Sequence, residues 1–334
     1  MCCNKGQGTR EKVTRLFSPR YKTVRAVDGI DLCIKRGEII GWLGPNGAGK
    51  STTIKLLTGV LHPDGGALKV NNLIPSKRRV ENARQIGVVY GQRSQLWWDL
   101  PLIDSFEILK AMYRIPPAQY RANLDFMIEL LNMQSFLEQP VRKLSLGQRM
   151  KGDIVASLLH EPPILYLDEP TIGLDVVSKN AILNFIGALN ANRHTTVLLT
   201  THNLSDVEHL CKRILIIDHG KIILDVLPDD LIQRYGKQRQ LIVEFSRAPD
   251  GFVLPITINK AVIARREGNK VVIVFNRDDL SALQLIASLS EAALPTGVNI
   301  VDVSIKDDNV ESVITRIYED REGKGTARQE KQAR

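Results

Sequence analysis

Apolar positions along the chain fall into short runs set off by glycine- and proline-marked turns, and the runs alternate between strand and helix spacing. Val24 to Val27 and Gly29 to Ile34 alternate apolar and polar residues, which predicts a strand pair ending in a turn at Lys35-Arg36-Gly37-Glu38. Ile39-Ile40-Gly41-Trp42-Leu43 is continuously apolar and reads as a buried strand, after which Lys50 to Gly59 takes helical spacing. Short strands are expected at Ala67 to Asn71 and at Ile86 to Tyr90. Three helical patterns follow, Ser105 to Tyr113, Pro117 to Leu131 and Ser145 to His160, punctuated by Pro116-Pro117, Pro140 and Pro162-Pro163. The α/β alternation then resumes: strand Ile164 to Leu167, helix Val176 to Ala191, strand Thr195 to Thr200, helix Leu204 to Cys211 and strand Ile214 to Ile217. A hairpin at His219-Gly220-Lys221 leads into Ile222-Ile223-Leu224. This order predicts an α/β fold, a parallel sheet covered by helices with a helical subdomain inserted.

A linker at Gly236 to Gln240 leads to a second unit. Its elements are strand Leu241 to Phe245, a hairpin of Ala261 to Arg265 and Val271 to Phe275 around Gly268-Asn269, helix Asp278 to Ala293, strand Asn299 to Ile305 and helix Val310 to Tyr318. The expected organisation is a basic flexible start at 1–20, a main domain at 21–236 with the helical subdomain at about 95–162, a small α+β accessory domain at 237–320 and a disordered tail at 321–334. The accessory domain carries no catalytic cluster, so an interaction or regulatory role is expected of it.

Composition adds mainly exclusions. With 43% hydrophobic and 25% charged residues, the chain has the usage of a globular protein. No apolar run approaches the roughly 20 residues that span a bilayer, so a membrane role calls for a separate partner. Met1-Cys2-Cys3-Asn4-Lys5 is not followed by the apolar stretch of a signal peptide. The four cysteines have neither metal-site nor disulfide spacing, which is read as a reducing cytosol. The net charge of +8 is concentrated towards the two ends, where it suits solvated flexible segments, an anionic membrane surface or nucleic acid.

Gly44-Pro45-Asn46-Gly47-Ala48-Gly49-Lys50-Ser51, followed by Thr52, fits the phosphate-binding loop G-x-x-x-x-G-K-[ST] in its required place between a strand and a helix. Glycines turn backbone N–H groups towards a polyphosphate, and the helix N-terminus adds partial positive charge. Lys50 would reach the β- and γ-phosphates and Ser51 would hold Mg²⁺. Past the strand at 164–167, Asp168 and Glu169 supply a metal-holding acid and a general base for the attacking water.

With these, four further motifs carry a family resemblance. Leu144-Ser145-Leu146-Gly147-Gln148 resembles the LSGGQ signature of ATP-binding cassette (ABC) proteins, with Leu146 in place of the first glycine. Pro170 to Asp175 resembles the D-loop, Thr200-Thr201-His202 the switch histidine, and Gln92 the glutamine that joins core to helical insert. Tyr21 stands where the family stacks an aromatic ring on adenine. Within the family, Gln92 to Pro101 and Val141 to Lys151 resemble a bacterial group of exporter cassettes of the daunorubicin-resistance type.

The resemblance implies an ABC-type P-loop ATPase at the cytoplasmic face of the cell membrane, peripheral through a separate permease. ATP and Mg²⁺ are the implied ligands, with Glu169, His202, Gln92 and Lys50 catalytic, and Ser51, Gln92 and Asp168 at the metal. It further implies a dimer of two copies in which Ser145, Gly147, Gln148 and Asp175 complete the partner's ATP site. Trp97 and Trp98 lie where relatives receive the permease, so either they contact it or they pack within the helical subdomain. The alternative, an ABC ATPase acting on the ribosome or nucleic acid, is disfavoured by the single cassette and the compact insert. No nucleic-acid partner is expected.

Overall fold

The computed structural model describes residues 24–91, 93–248, 261–293 and 298–318. Strand β1 (Ile39–Leu43) is buried along its whole length. It is continuously apolar because both its faces are covered: Ile39 and Leu43 belong to one core cluster, Ile40 and Trp42 to another. Helix α1 (Lys50–Leu57) follows, then the short α2 (Arg79–Ala83) and β2 (Ile86–Tyr90). The helical insert contains α3 (Leu102–Tyr113), α4 (Pro117–Leu131) and α5 (Leu146–Leu158). Pro117 starts α4 at the position where its missing N–H costs nothing.

The chain continues through β3 (Ile164–Asp168), α6 (Val176–Arg193), β4 (Thr196–Thr201), α7 (Leu204–Leu210), β5 (Arg213–Asp218) and β6 (Lys221–Val226). Among the described residues these strands form a six-stranded sheet of order β2-β3-β4-β1-β5-β6, parallel except for the β5–β6 hairpin. Register places the ends of four strands side by side: Tyr90 pairs with Asp168, Asp168 with Thr200, and Leu43 with Thr201. The segments that leave these strand ends therefore lie side by side along one edge of the sheet, the usual ligand position of an open α/β sheet.

The predicted strand pair at Val24 to Ile34 is absent: these residues carry no strand. Ile30, Leu32 and Ile34 do pack against the sheet core, so the alternation reports one-sided burial of an extended segment without a ladder partner. Ala67 to Asn71 likewise reduces to a single bridge, Val70 with Leu73.

After α8 (Pro228–Tyr235), a second sheet of order β10-β7-β9-β8 contains β7 (Gln238–Phe245), β8 (Ala261–Glu267), β9 (Lys270–Asn276) and β10 (Ile300–Asp307). Helix α9 (Ala282–Ala293) covers one face, where Leu285 and Leu289 meet Val243, Ile273 and Phe275. The helix at 310–318, expected as part of this unit, instead buries Val310, Val313 and Ile314 in the core of the first unit, in the cluster that contains Val207 and Leu231. Glu208 Oε1 on α7 accepts the Val310 N–H at 2.8 Å and caps it.

Candidate functional site

The phosphate-loop sequence forms the turn between β1 and α1. Gly49 has φ +110°, and a Cβ there would meet the Ala26 carbonyl oxygen at 2.3 Å, so no other residue fits. Pro45, Asn46 and Gly47 are exposed on the rim and Ala48 is buried beneath them. Lys50 is buried and donates from Nζ to the carbonyl oxygens of Gly44 (2.6 Å) and Pro45 (3.1 Å), folding back over the loop. Burial holds its pKa below the ordinary lysine value, against the opposing pull of Glu169 and Asp168. Ser51 stands exposed at the first turn of α1, and Thr52 is half-buried beside it.

The two acids leave β3 alongside this loop. Thr200 Oγ1 donates to Asp168 Oδ1 at 2.6 Å and accepts the Glu169 N–H at 3.1 Å, so one hydroxyl on the neighbouring strand orients both. Glu169 has φ +54°, a costly conformation for a non-glycine residue; its N–H is also held by the Thr200 carbonyl oxygen at 3.0 Å. His202 is 58% exposed, with Nδ1 3.5 Å from Glu169 Oε1. Gly91 N–H donates to the Asp168 carbonyl at 2.8 Å, and a Cβ on Gly91 would meet the Glu169 carbonyl oxygen at 2.2 Å. Gln92 follows directly but lies outside the described residues, as does Tyr21.

The signature stands at the start of α5. Ser145 is its N-cap: Ser145 Oγ accepts the Gln148 N–H at 3.2 Å, and Gln148 Oε1 accepts the Ser145 N–H at 2.9 Å. Gly147 faces Ser178, whose Oγ would lie 2.4 Å from an added Cβ. Leu146, at the position of the absent glycine, reaches towards Gly173 of the D-loop and is itself partly exposed. Asp175 caps α6 by accepting from Ser178 N (2.8 Å) and Ser178 Oγ (2.7 Å), and these bonds hold its carboxyl below the usual carboxylate range.

Three residues to which the sequence assigns no role of their own organise the site. Thr200 reads only as the strand end that leads to His202 until register sets it beside Asp168, and Gly91 reads only as a strand end. Asp206 looks like an ordinary first-turn acid of α7, yet it is wholly buried. It is ion-paired with Lys179 and accepts from Thr171 Oγ1 at 2.5 Å, which ties the D-loop to the turn carrying His202. For Thr200→Val, which keeps shape and removes the hydroxyl, turnover should fall about tenfold with ATP affinity little changed, the loss expected for one hydrogen bond that positions reacting groups. Steady-state ATPase kinetics beside equilibrium nucleotide binding check this.

Comparison with known proteins agrees with this geometry. The family pattern described as ABC transporter matches residues 27–172. The daunorubicin/doxorubicin resistance ATP-binding protein DrrA of Streptomyces peucetius is 35% identical over 230 residues, 69% of this chain and 69% of that protein. The chain belongs to the ABC transporter family. This ABC cassette is also 29% identical to the linearmycin resistance ATP-binding protein LnrL of Bacillus subtilis (strain 168) over 304 residues, 89% of this chain and 94% of that one. Among solved structures, a dimeric ATP-binding cassette in a post-hydrolysis state with ADP and phosphate superimposes with a TM-score of 0.55 at 25% identity, covering 62% of this chain and 94% of that one. The cassette is accordingly an ATP-binding ATPase with the P-loop NTPase fold of the family. Among the described residues no helix is long and apolar enough to cross a membrane.

Trp97 and Trp98, just beyond Gln92, are 37% and 53% exposed. The Arg149 guanidinium lies 5.6 Å from the Trp98 ring centroid, and the Trp98 carbonyl accepts the Arg142 N–H at 3.0 Å.

Proposed function

We propose that this cassette energises export through a separate membrane permease by closing and reopening a dimer around two ATP molecules. The observation that carries the reading is the common edge of β1, β3 and β4, beside which Lys50, Asp168, Glu169 and His202 lie close together, while the signature lies at the head of α5 against Ser178. A second copy, turned head to tail, would bring its Ser145, Gly147, Gln148 and Asp175 to the nucleotide held here. Export is in the name of relatives such as the Nod factor export ATP-binding protein I of Ralstonia nicotianae.

In this reading the backbone from Gly44 to Ser51, with Thr52, cradles the phosphates, Lys50 swings from the Gly44 carbonyl onto the β- and γ-phosphates, and Tyr21 stacks on adenine. Ser51, exposed at the first turn of α1, and Asp168, oriented by Thr200, offer the oxygen donors that suit a hard cation; with Gln92 they would hold Mg²⁺, which would neutralise phosphate charge. Glu169 takes the proton of the attacking water, and His202 contacts the γ-phosphate. The cassette would thus lie peripherally at the cytoplasmic face of the membrane. The second sheet, through the helix at 310–318 docked beside α7, would act as a regulatory unit.

The half-exposed Trp97 and Trp98 are the residues we place against the permease, since exposed aromatics make strong interface anchors. Affinity-tagged cassette recovered from solubilised membranes should bring down a multi-span protein that stimulates its ATPase. Trp97→Ala with Trp98→Ala should lose that stimulation while keeping basal turnover. Full stimulation of the double variant would remove the tryptophans from the interface.

A further inference from the structure

Asp153 lies on α5, two turns past the signature serine, and is only 5% exposed. Its carboxylate faces the loop that follows Gln92. Oδ1 accepts from Ser94 Oγ and from Gln95 N, both at 2.9 Å, and the Asp153 carbonyl accepts from Gln95 Nε2 at 3.0 Å. Burial pushes its carboxyl up to about 6, opposed by these bonds and by the charge of Arg149. An acid kept in such a place is there for what it holds.

The same helix face grips the loop at two further points. Gly152 leaves space for Leu96, whose Cδ1 would lie 3.0 Å from an added Cβ. Arg149, one turn before Asp153 and therefore on the same face, lies over the Trp98 ring. Loop 94–98 is thus laid along the helix whose first turn is the signature. We propose that Asp153 is a positioning residue that locks the tryptophan loop to the signature helix, so that ATP closure at Ser145 and pressure on Trp97 and Trp98 move one rigid unit. The coupling works in both directions, as any linkage must. It rests on the ATP-sandwich reading above.

The test uses intrinsic fluorescence. Of the three tryptophans, Trp42 is buried in the core, so acrylamide quenching reports Trp97 and Trp98. In full-length Glu169→Gln cassette, Mg-ATP should change the quenching constant. Adding Asp153→Ala should cut that change to about half or less while ATP still dimerises the protein, as expected when a coupling link is removed. Asp153→Asn, which keeps an oxygen for both donors, should restore it. Ser94→Ala weakens the same link from the loop side and should act like Asp153→Ala, which covers the case in which the latter fails to fold. An undiminished response in Asp153→Ala or Ser94→Ala would overturn the inference, as would tryptophans unresponsive to ATP with Asp153 in place. Absence of an ATP dimer in the parent protein would instead defeat the sandwich reading.

Discussion

Glu169→Gln should reduce ATP turnover by about 10³-fold while leaving Mg-ATP binding near that of the unaltered cassette, within the range that a positioned general base contributes. The geometry separates the two effects. In the proposed mechanism phosphate binding belongs to the loop at 44–51, which follows β1, whereas Glu169 sits two strands away with its backbone pinned by Thr200. Glutamine keeps the side chain's length and its acceptor oxygen facing His202, and loses only the capacity to take a proton. The strained φ of +54° is unaffected, because it is imposed by the two bonds to Thr200 and by the close passage of Gly91. Steady-state hydrolysis beside equilibrium binding of a fluorescent ATP analogue measures both quantities; hydrolysis within a few-fold of the parent would remove Glu169 from the base role.

Lys50→Ala should weaken ATP binding about 100-fold, the size expected when a buried cation that meets phosphate is removed. Lys50 is held by the carbonyl oxygens of Gly44 and Pro45, with Asp168 and Glu169 as its nearby negative charges. Alanine frees those carbonyls and leaves two carboxylates facing the incoming triphosphate without the compensating charge. ADP binding should suffer less than ATP binding, because the γ-phosphate contact proposed for Lys50 exists only with ATP. The equilibrium measurement used for Glu169→Gln distinguishes the two variants, one losing chemistry and the other affinity.

Much of this could be read from the chain because the elements at the site are local. β1 is apolar without alternation since both its faces are covered, and the glycine at 49 marks a turn that only glycine can make. Asp168 and Glu169 follow a run that could only be a buried strand. Helix α8 also had a local signal that the sequence reading passed over, a proline at its first position and two acids in its first turn. Other features depend on register or on long-range packing, which no local pattern contains. Thr200 meets Asp168 only because β3 and β4 are neighbours in one register, and Asp206 acquires its partners from the D-loop and from α6. The docking of residues 310–318 onto the first unit crosses about a hundred residues of chain, as the bond from Val310 to Glu208 shows. Conversely, Val24 to Ile34 had a strand's alternation without a strand's partner, so a period of two overstated what was there.

The account stands on the claim that one ATP site is completed by two copies. Sedimentation of the Glu169→Gln cassette with and without Mg-ATP tests this most directly, with a Ser145→Arg second-site variant beside it. The protein should move from a single chain of 37.4 kDa to twice that mass on adding Mg-ATP, and Ser145→Arg should hold it at the single-chain mass although ATP still binds. A cassette that remains at 37.4 kDa with ATP bound, or one that dimerises equally well with arginine at position 145, would contradict it.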